Sequence, residues 1–304
     1  MLPSSIRFIQ RGWFNCNTIV LLGAGGPVVI DTGHRDDARQ LLHLLCAEGI
    51  EPAGVRLIVN THCHWDHHGG NRLLQAASGA PIAASAATAD LFAQRDRWQT
   101  WLDYFGTDSD TPHVDICWQD GQQVTLAGMP FQVIAVPGHA PDMIALFQPD
   151  LRLLISADAL HDGDCGVINT VVHGDAALDD AIASTEALCR LNPAIALPGH
   201  GGILADPQAS LQALLRRLHR FKADPAQLAW HLVRRILMAW LLELEPIGRE
   251  PFIAAVSHKP WLHDYAPRCG FRQPAHLAHQ LLDEYLARGL VREAEGLLVS
   301  AVPR

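Results

Sequence analysis

Short apolar runs and longer segments of helical spacing alternate along the first two thirds of the chain. Residues 28–30, 55–59, 131–136, 151–155 and 194–197 are mostly apolar and read as strands. Between them, residues 36–48 place Leu41, Leu42, Leu44 and Leu45 at helical spacing, with Gly49 as a stop. Residues 177–191 and 208–221 also have helical spacing. Strands interleaved with helices predict an α/β (α+β) fold.

The strands end in a recurring way. The run at 55–59 leads into His62-Cys63-His64-Trp65-Asp66-His67 and Gly69-Gly70. The run at 131–136 leads into Pro137-Gly138-His139, and that at 151–155 into Ser156-Ala157-Asp158. The run at 194–197 leads into Pro198-Gly199-His200. Imidazole and carboxylate are ligands for borderline-soft divalent metals, zinc above all. His62 and His64 alternate on an extended segment and can hold one ion, while Asp66 and His67 can hold a second. A rigid sheet aims strand-end loops at one point, so His139, Asp158 and His200 belong with the same group. Cys63 alternates to the opposite face and reads as a packed thiol.

On these residues, together with Asp31-Thr32-Gly33 after Val28-Val29-Ile30, the chain resembles the metallo-β-lactamase superfamily, over roughly residues 8–222. The resemblance implies a four-layer αββα sandwich and a dinuclear site of glyoxalase II type. His62, His64 and His139 would hold the first metal, and Asp66, His67 and His200 the second. Asp158 would bridge them, and a bridging hydroxide would attack the substrate. The expected cofactors are two divalent ions per chain, zinc before iron or manganese, since His and Asp serve all three. Asp66 is the candidate catalytic residue, moving a proton from the hydroxide to the leaving group. Asp31 is the candidate support, fixing a ligand or its loop.

Composition narrows the function. The formal net charge of −9 argues against a generic nucleic-acid binder. No apolar run is long enough to span a membrane. Residues 1–10 lack a signal-peptide pattern, and seven scattered cysteines without a CxxC pair suit a reducing cytoplasm. The aromatic segment 94–119, with Trp98, Trp101, Tyr104, Phe105 and Trp118, reads either as a lid over the metals or as one helix on the core. Trp65 and Trp101 are the candidate substrate contacts.

Residues 225–304 read as a second domain after residues 1–224. A helix over 226–244 is broken at Pro246-Ile247-Gly248, a second starts near Pro251, and a third covers 275–288. A hairpin follows at 292–299 with Gly296 at its turn. This order resembles a winged-helix domain. Its nine basic and eight acidic side chains favour a structural or dimer-forming role over nucleic-acid binding.

The expected function is a cytoplasmic dinuclear metal hydrolase acting on a small acyl substrate, a thioester or lactone. Alternatives are a nucleic-acid phosphodiesterase of endoribonuclease type, a metal-dependent β-lactamase, and a ligand sensor that retains the metal site. Asp158 and the missing export signal speak against the β-lactamase. Hydroxyacylglutathione hydrolases share all seven ligands, but their glutathione-binding residues find no match in this tail.

Overall fold

The computed structural model describes residues 2–302. The first sheet runs in the order β1 (Ile6–Ile9), β2 (Thr18–Leu21), β3 (Val28–Ile30), β4 (Leu57–Val59), β5 (Ile82–Ser85) and β6 (Ile116–Trp118). It is antiparallel from β1 to β3 and parallel from β3 to β6. The second sheet comprises β7 (Gln123–Leu126), β8 (Met129–Ala135), β9 (Ile144–Gln148), β10 (Leu153–Ala157) and β11 (Ile195–Pro198). Only its β10–β11 pair is parallel.

Alternation along the strands produces the layers. Ile19, Leu21, Val28 and Ile30 face Phe131, Val133, Leu153 and Ile155 between the sheets. The intervening Val20 and Val29 face outward, onto Leu41 and Leu45 of α1 (Ala38–Ala47) and Leu74 of a helix at Asn71–Ser78. On the far side, Ile134 and Leu154 pack against helices at Ala176–Leu191 and Pro207–Ala223. The result is the expected αββα sandwich.

In chain order the remaining helices are α2 (Trp65–His68), α3 (Asn71–Ser78), α4 (Ala86–Gln94), α5 (Leu102–Phe105), α6 (Ala176–Leu191) and α7 (Pro207–Ala223). The tail adds α8 (Pro225–Leu244), α9 (Arg249–Ser257), α10 (Pro260–Tyr265) and α11 (Pro274–Ala287). Asp206 and Asp224 cap α7 and α8 through the amides of Ala209 and Ala226, each with Pro at the first helical position. The closing hairpin, β12 (Val291–Ala294) and β13 (Leu297–Ser300), turns through Glu295 and Gly296, both left-handed at φ 53° and 76°.

The aromatic segment is not one helix. Arg95 at φ 53° ends the preceding helix at Gln94 and Trp101 adopts φ 65°, so beyond Gln94 only the four residues of α5 are helical. Trp98 stays exposed, whereas Trp101, Tyr104 and Phe105 are buried. They belong to a core that continues from Trp65 through α5 into α8–α11. Phe105 stacks on Trp240 with ring centroids 5.2 Å apart. The tail helices and the aromatic segment therefore form one wall along the edge of the sandwich that carries the strand-end histidines.

Candidate metal centre

Every strand-end residue singled out in the sequence meets at this edge. His62 and His64 follow β4, and Asp66 and His67 lie in the single turn of α2. His139 follows β8, Asp158 follows β10 and His200 follows β11. His62 Nε2 lies 3.1 Å from His64 Nδ1, which lies 2.8 Å from His139 Nε2. A second cluster gathers Asp66, His67 and His200, with His200 Nε2 3.3 Å from Asp66 Oδ2. The Asp158 carboxylate stands between the clusters, Oδ2 3.4 Å from His139 Nε2 and Oδ1 3.5 Å from His67 Nε2.

The histidines are aimed from behind. His139 Nδ1–H donates to the Val167 carbonyl at 2.7 Å, which turns Nε2 toward the cluster. His67 Nδ1–H donates to Asp31 Oδ2 at 2.8 Å. Asp31 also accepts from the Thr61 amide at 2.9 Å and the Thr61 hydroxyl at 2.8 Å, so it ties the two strand ends together. Two glycines make room. A Cβ at Gly199 would lie 2.2 Å from Asp158 Oδ1, and one at Gly166 2.5 Å from the His139 ring.

The electrostatics suit cations. Burial, reinforced by neighbouring imidazoles, holds His62 and His64 well below the ordinary imidazole value, and burial also lowers His139. Three neutral imidazoles thus converge their ring nitrogens. Burial alone would raise Asp66 and Asp158, but His67 and His200 overcome it and keep both carboxyls ionised. Burial opposes charge on His67 too, yet Cys16, Asp158, Asp66 and Asp31 outweigh it and raise its pKa. His67 Nε2 is buried without a hydrogen-bond partner among the described residues. An orphaned nitrogen facing two carboxylates, beside converging imidazoles, is a donor set that divalent metals fit.

Cys63 is on the other face, packed with Ala84, Phe92 and Val114. Trp65 and Trp101 both line a cavity of ≈ 140 Å³ that opens on the two clusters. Trp101 approaches the His64 ring at 4.5 Å and donates its indole N–H to His173 Nε2 at 2.8 Å. Sequence reasoning missed several neighbours. His161 Nε2 sits 3.3 Å from Asp158 Oδ1, and its only signal was its place three residues after Asp158. Arg235, Ile236 and Ala239 of α8 close the cavity, and nothing in their local pattern announces it.

Residues 11–200 match the metallo-beta-lactamase superfamily. A hydroxyacylglutathione hydrolase of Ectopseudomonas mendocina (strain ymp) is 33% identical over 158 residues, covering 50% of this chain and 51% of that protein. An acyl-coenzyme A thioesterase of Homo sapiens is 31% identical over 185 residues, covering 52% of this chain and 62% of that protein. The chain spans about half the length of the curated relatives it matches. The crystal structure of a metallo-beta-lactamase family protein from Thermus thermophilus superposes with TM-score 0.62 at 22% identity, covering 99% of this chain and 100% of that one. With the family match spanning more than half of its length, this chain belongs to the metallo-beta-lactamase superfamily.

Proposed function

We propose that the protein is a dinuclear metal-dependent hydrolase of thioesters. The observation that carries this reading is the pair of ligand clusters with the Asp158 carboxylate between them, opening on a cavity walled by Trp65, Trp101, Phe105, Ile236 and Ala239. His62, His64 and His139 would hold one ion, Asp66, His67 and His200 the other, and Asp158 both. Bound there, two divalent ions, zinc by preference, supply an activated water at neutral pH and polarise a carbonyl oxygen.

The chain's own groups do the rest. Asp66 is ionised and lines the cavity, so it can take the water's proton and pass it to the departing sulfur. Water adds to the acyl carbon, the carbon–sulfur bond breaks, and a carboxylic acid and a thiol leave. Asp31 holds His67, and the Val167 carbonyl holds His139, in the tautomers that turn Nε2 inward. Trp65, Trp101 and Phe105 supply an apolar wall for the acyl group and keep bulk water out. Thioesters rank above lactones because two of the relatives are named for thioester substrates.

No helix among the described residues is long and apolar enough to cross a membrane. All seven cysteines are free, which supports a reducing compartment. The test is a screen of zinc-loaded protein against thioesters, lactones, a chromogenic β-lactam and single-stranded RNA, with metal content measured alongside. The expected result is two ions per chain and thioester cleavage faster than any other. One ion or fewer after zinc loading, or RNA cleavage faster than every thioester, overturns the reading.

A further inference from the structure

A second concavity lies beside the metal cavity, between α7, α8 and the end of α11, with a volume of ≈ 590 Å³. Five guanidiniums line it: Arg217 and Arg220 from α7, Arg234 and Arg235 from α8, and Arg288 after α11. No carboxylate lines it among the described residues. Two acids stand behind these arginines. Asp164 pairs with Arg217 at 2.6 Å and with Arg235, and Glu284 pairs with Arg234 and Arg288, each at 3.1 Å. Five positive charges against two negative ones leave a local excess in a chain whose net charge is −9.

Arg235 belongs to both spaces. It lines the metal cavity and the arginine groove, and its Nη1 donates to the Cys165 carbonyl at 2.7 Å, which fixes it at the boundary. A linear substrate with its acyl end at the clusters would run past Arg235 into the groove. Guanidinium forks match the oxygens of a phosphate bidentately, and several of them together suit a polyanion rather than a single carboxylate. Trp230, half-buried with Arg234 4.9 Å over its ring, adds a planar surface at the same place.

We infer that this groove binds the phosphorylated end of the thiol half of an acyl thioester, so that the substrate class is an acyl-coenzyme A rather than an acylglutathione. The inference rests on the thioester reading above and adds the identity of the leaving thiol. Discrimination comes from charge. A thiol carrying several phosphates can answer the excess of guanidiniums, and one carrying only carboxylates answers it in part. The volume lies within the range of small-ligand pockets, roughly 300–1,000 Å³.

The test compares one acyl group on three thiols: coenzyme A, glutathione and N-acetylcysteamine. Arg220 and Arg288 are exposed, so Arg220→Ala and Arg288→Ala put little of the fold at risk. Each variant should raise KM for the coenzyme A thioester about tenfold relative to the N-acetylcysteamine thioester, with the loss on KM rather than kcat. Adenosine 3′,5′-bisphosphate should bind wild-type protein in calorimetry, weaken as salt rises, and bind Arg220→Ala about tenfold less tightly. Equal KM values on all three thiols, or variants that move all three equally, overturn the inference and leave the thioester reading standing. If no thioester is cleaved, that reading fails, and bisphosphate binding still decides whether the groove takes phosphates. Salt-sensitive RNA cleavage that is lost in Arg220→Ala would reassign the groove to nucleic acid and overturn the inference.

Discussion

Two walls face each other across the cavity, and they are built differently. The metal-cluster wall comes from strand ends, each carrying one or a few polar residues after an apolar run. The opposite wall comes from Trp101 and Phe105 in an irregular segment and from Arg235, Ile236 and Ala239 more than a hundred residues later. Chemistry on the first wall depends on donor atoms placed within a few tenths of an ångström. On the second it depends on shape and charge assembled by tertiary packing. The first wall should therefore fail abruptly when one atom is changed, and the second by degrees.

The largest effect belongs to Asp158, whose carboxylate stands between the clusters, 3.5 Å from His67 Nε2 and 3.4 Å from His139 Nε2. Asp158→Ala should lose one metal equivalent and lower thioester turnover by on the order of a thousandfold. Elemental analysis and steady-state kinetics on the same preparation check both. Two ions retained with normal turnover would show that Asp158 is not the bridge. One step back from the ions, Asp31→Asn should keep the fold but orient His67 less well, lowering metal affinity about 10–100-fold. Metal titration against a chromogenic chelator reads it directly, and unaltered affinity would make Asp31 a turn residue only.

These two walls also differ in how far the sequence announces them. His62, His64, Asp66 and His67 are adjacent in the chain, and His139, Asp158 and His200 each follow a short apolar run, so periodicity alone points to a common edge. The sandwich follows from the family resemblance rather than from periodicity; the alternation of Val20 and Val29 against Ile19 and Ile30 that builds its layers emerges from the structure. The segment around Trp101 is not legible, since its helical spacing is interrupted by one left-handed residue that tertiary contacts hold in place. Arg235 is invisible too. Its role comes from α8 lying against the loop after Asp158. Net charge is equally silent on this wall, because a sum of −9 does not locate five arginines around one groove.

Asp164 joins the walls, so it is where their difference can be broken. It sits on the loop after Asp158 and accepts from Arg217, Arg235 and His231. Burial would raise its pKa, but His231, Arg235 and Arg217 overcome that and hold it well below the usual carboxylate range. A depressed folded-state pKa contributes stability that is full above the unfolded value, near 4, and is lost as pH falls toward the folded one. Asp164→Ala should cost about 3 kcal/mol at neutral pH, because it strands two arginines. Urea unfolding at pH 7 and pH 3 should show wild type losing more stability on acidification than the variant. Equal losses would mean that the ion cluster contributes nothing to holding the walls together.

The smallest effect is expected at Cys63, and it sharpens the comparison from inside the metal motif itself. Cys63 lies between His62 and His64 in sequence but points away from both clusters, fully buried against Ala84, Phe92 and Val114. Burial, followed by the nearby Asp142 carboxyl, pushes its thiol well above the ordinary value, so it stays protonated, whereas a metal ligand must be a thiolate. Strand alternation explains the placement: residues 62 and 64 turn to the site, and residue 63 turns to the core. Cys63→Ala should keep two metal equivalents and wild-type kcat while lowering stability by about 1 kcal/mol, through a small void and the loss of the contact with Asp142. Loss of a metal with the fold intact would contradict this. Retained metal with lowered stability would show that neighbouring residues in one motif serve opposite walls of the same strand end, one through its donor atom and the other through its volume.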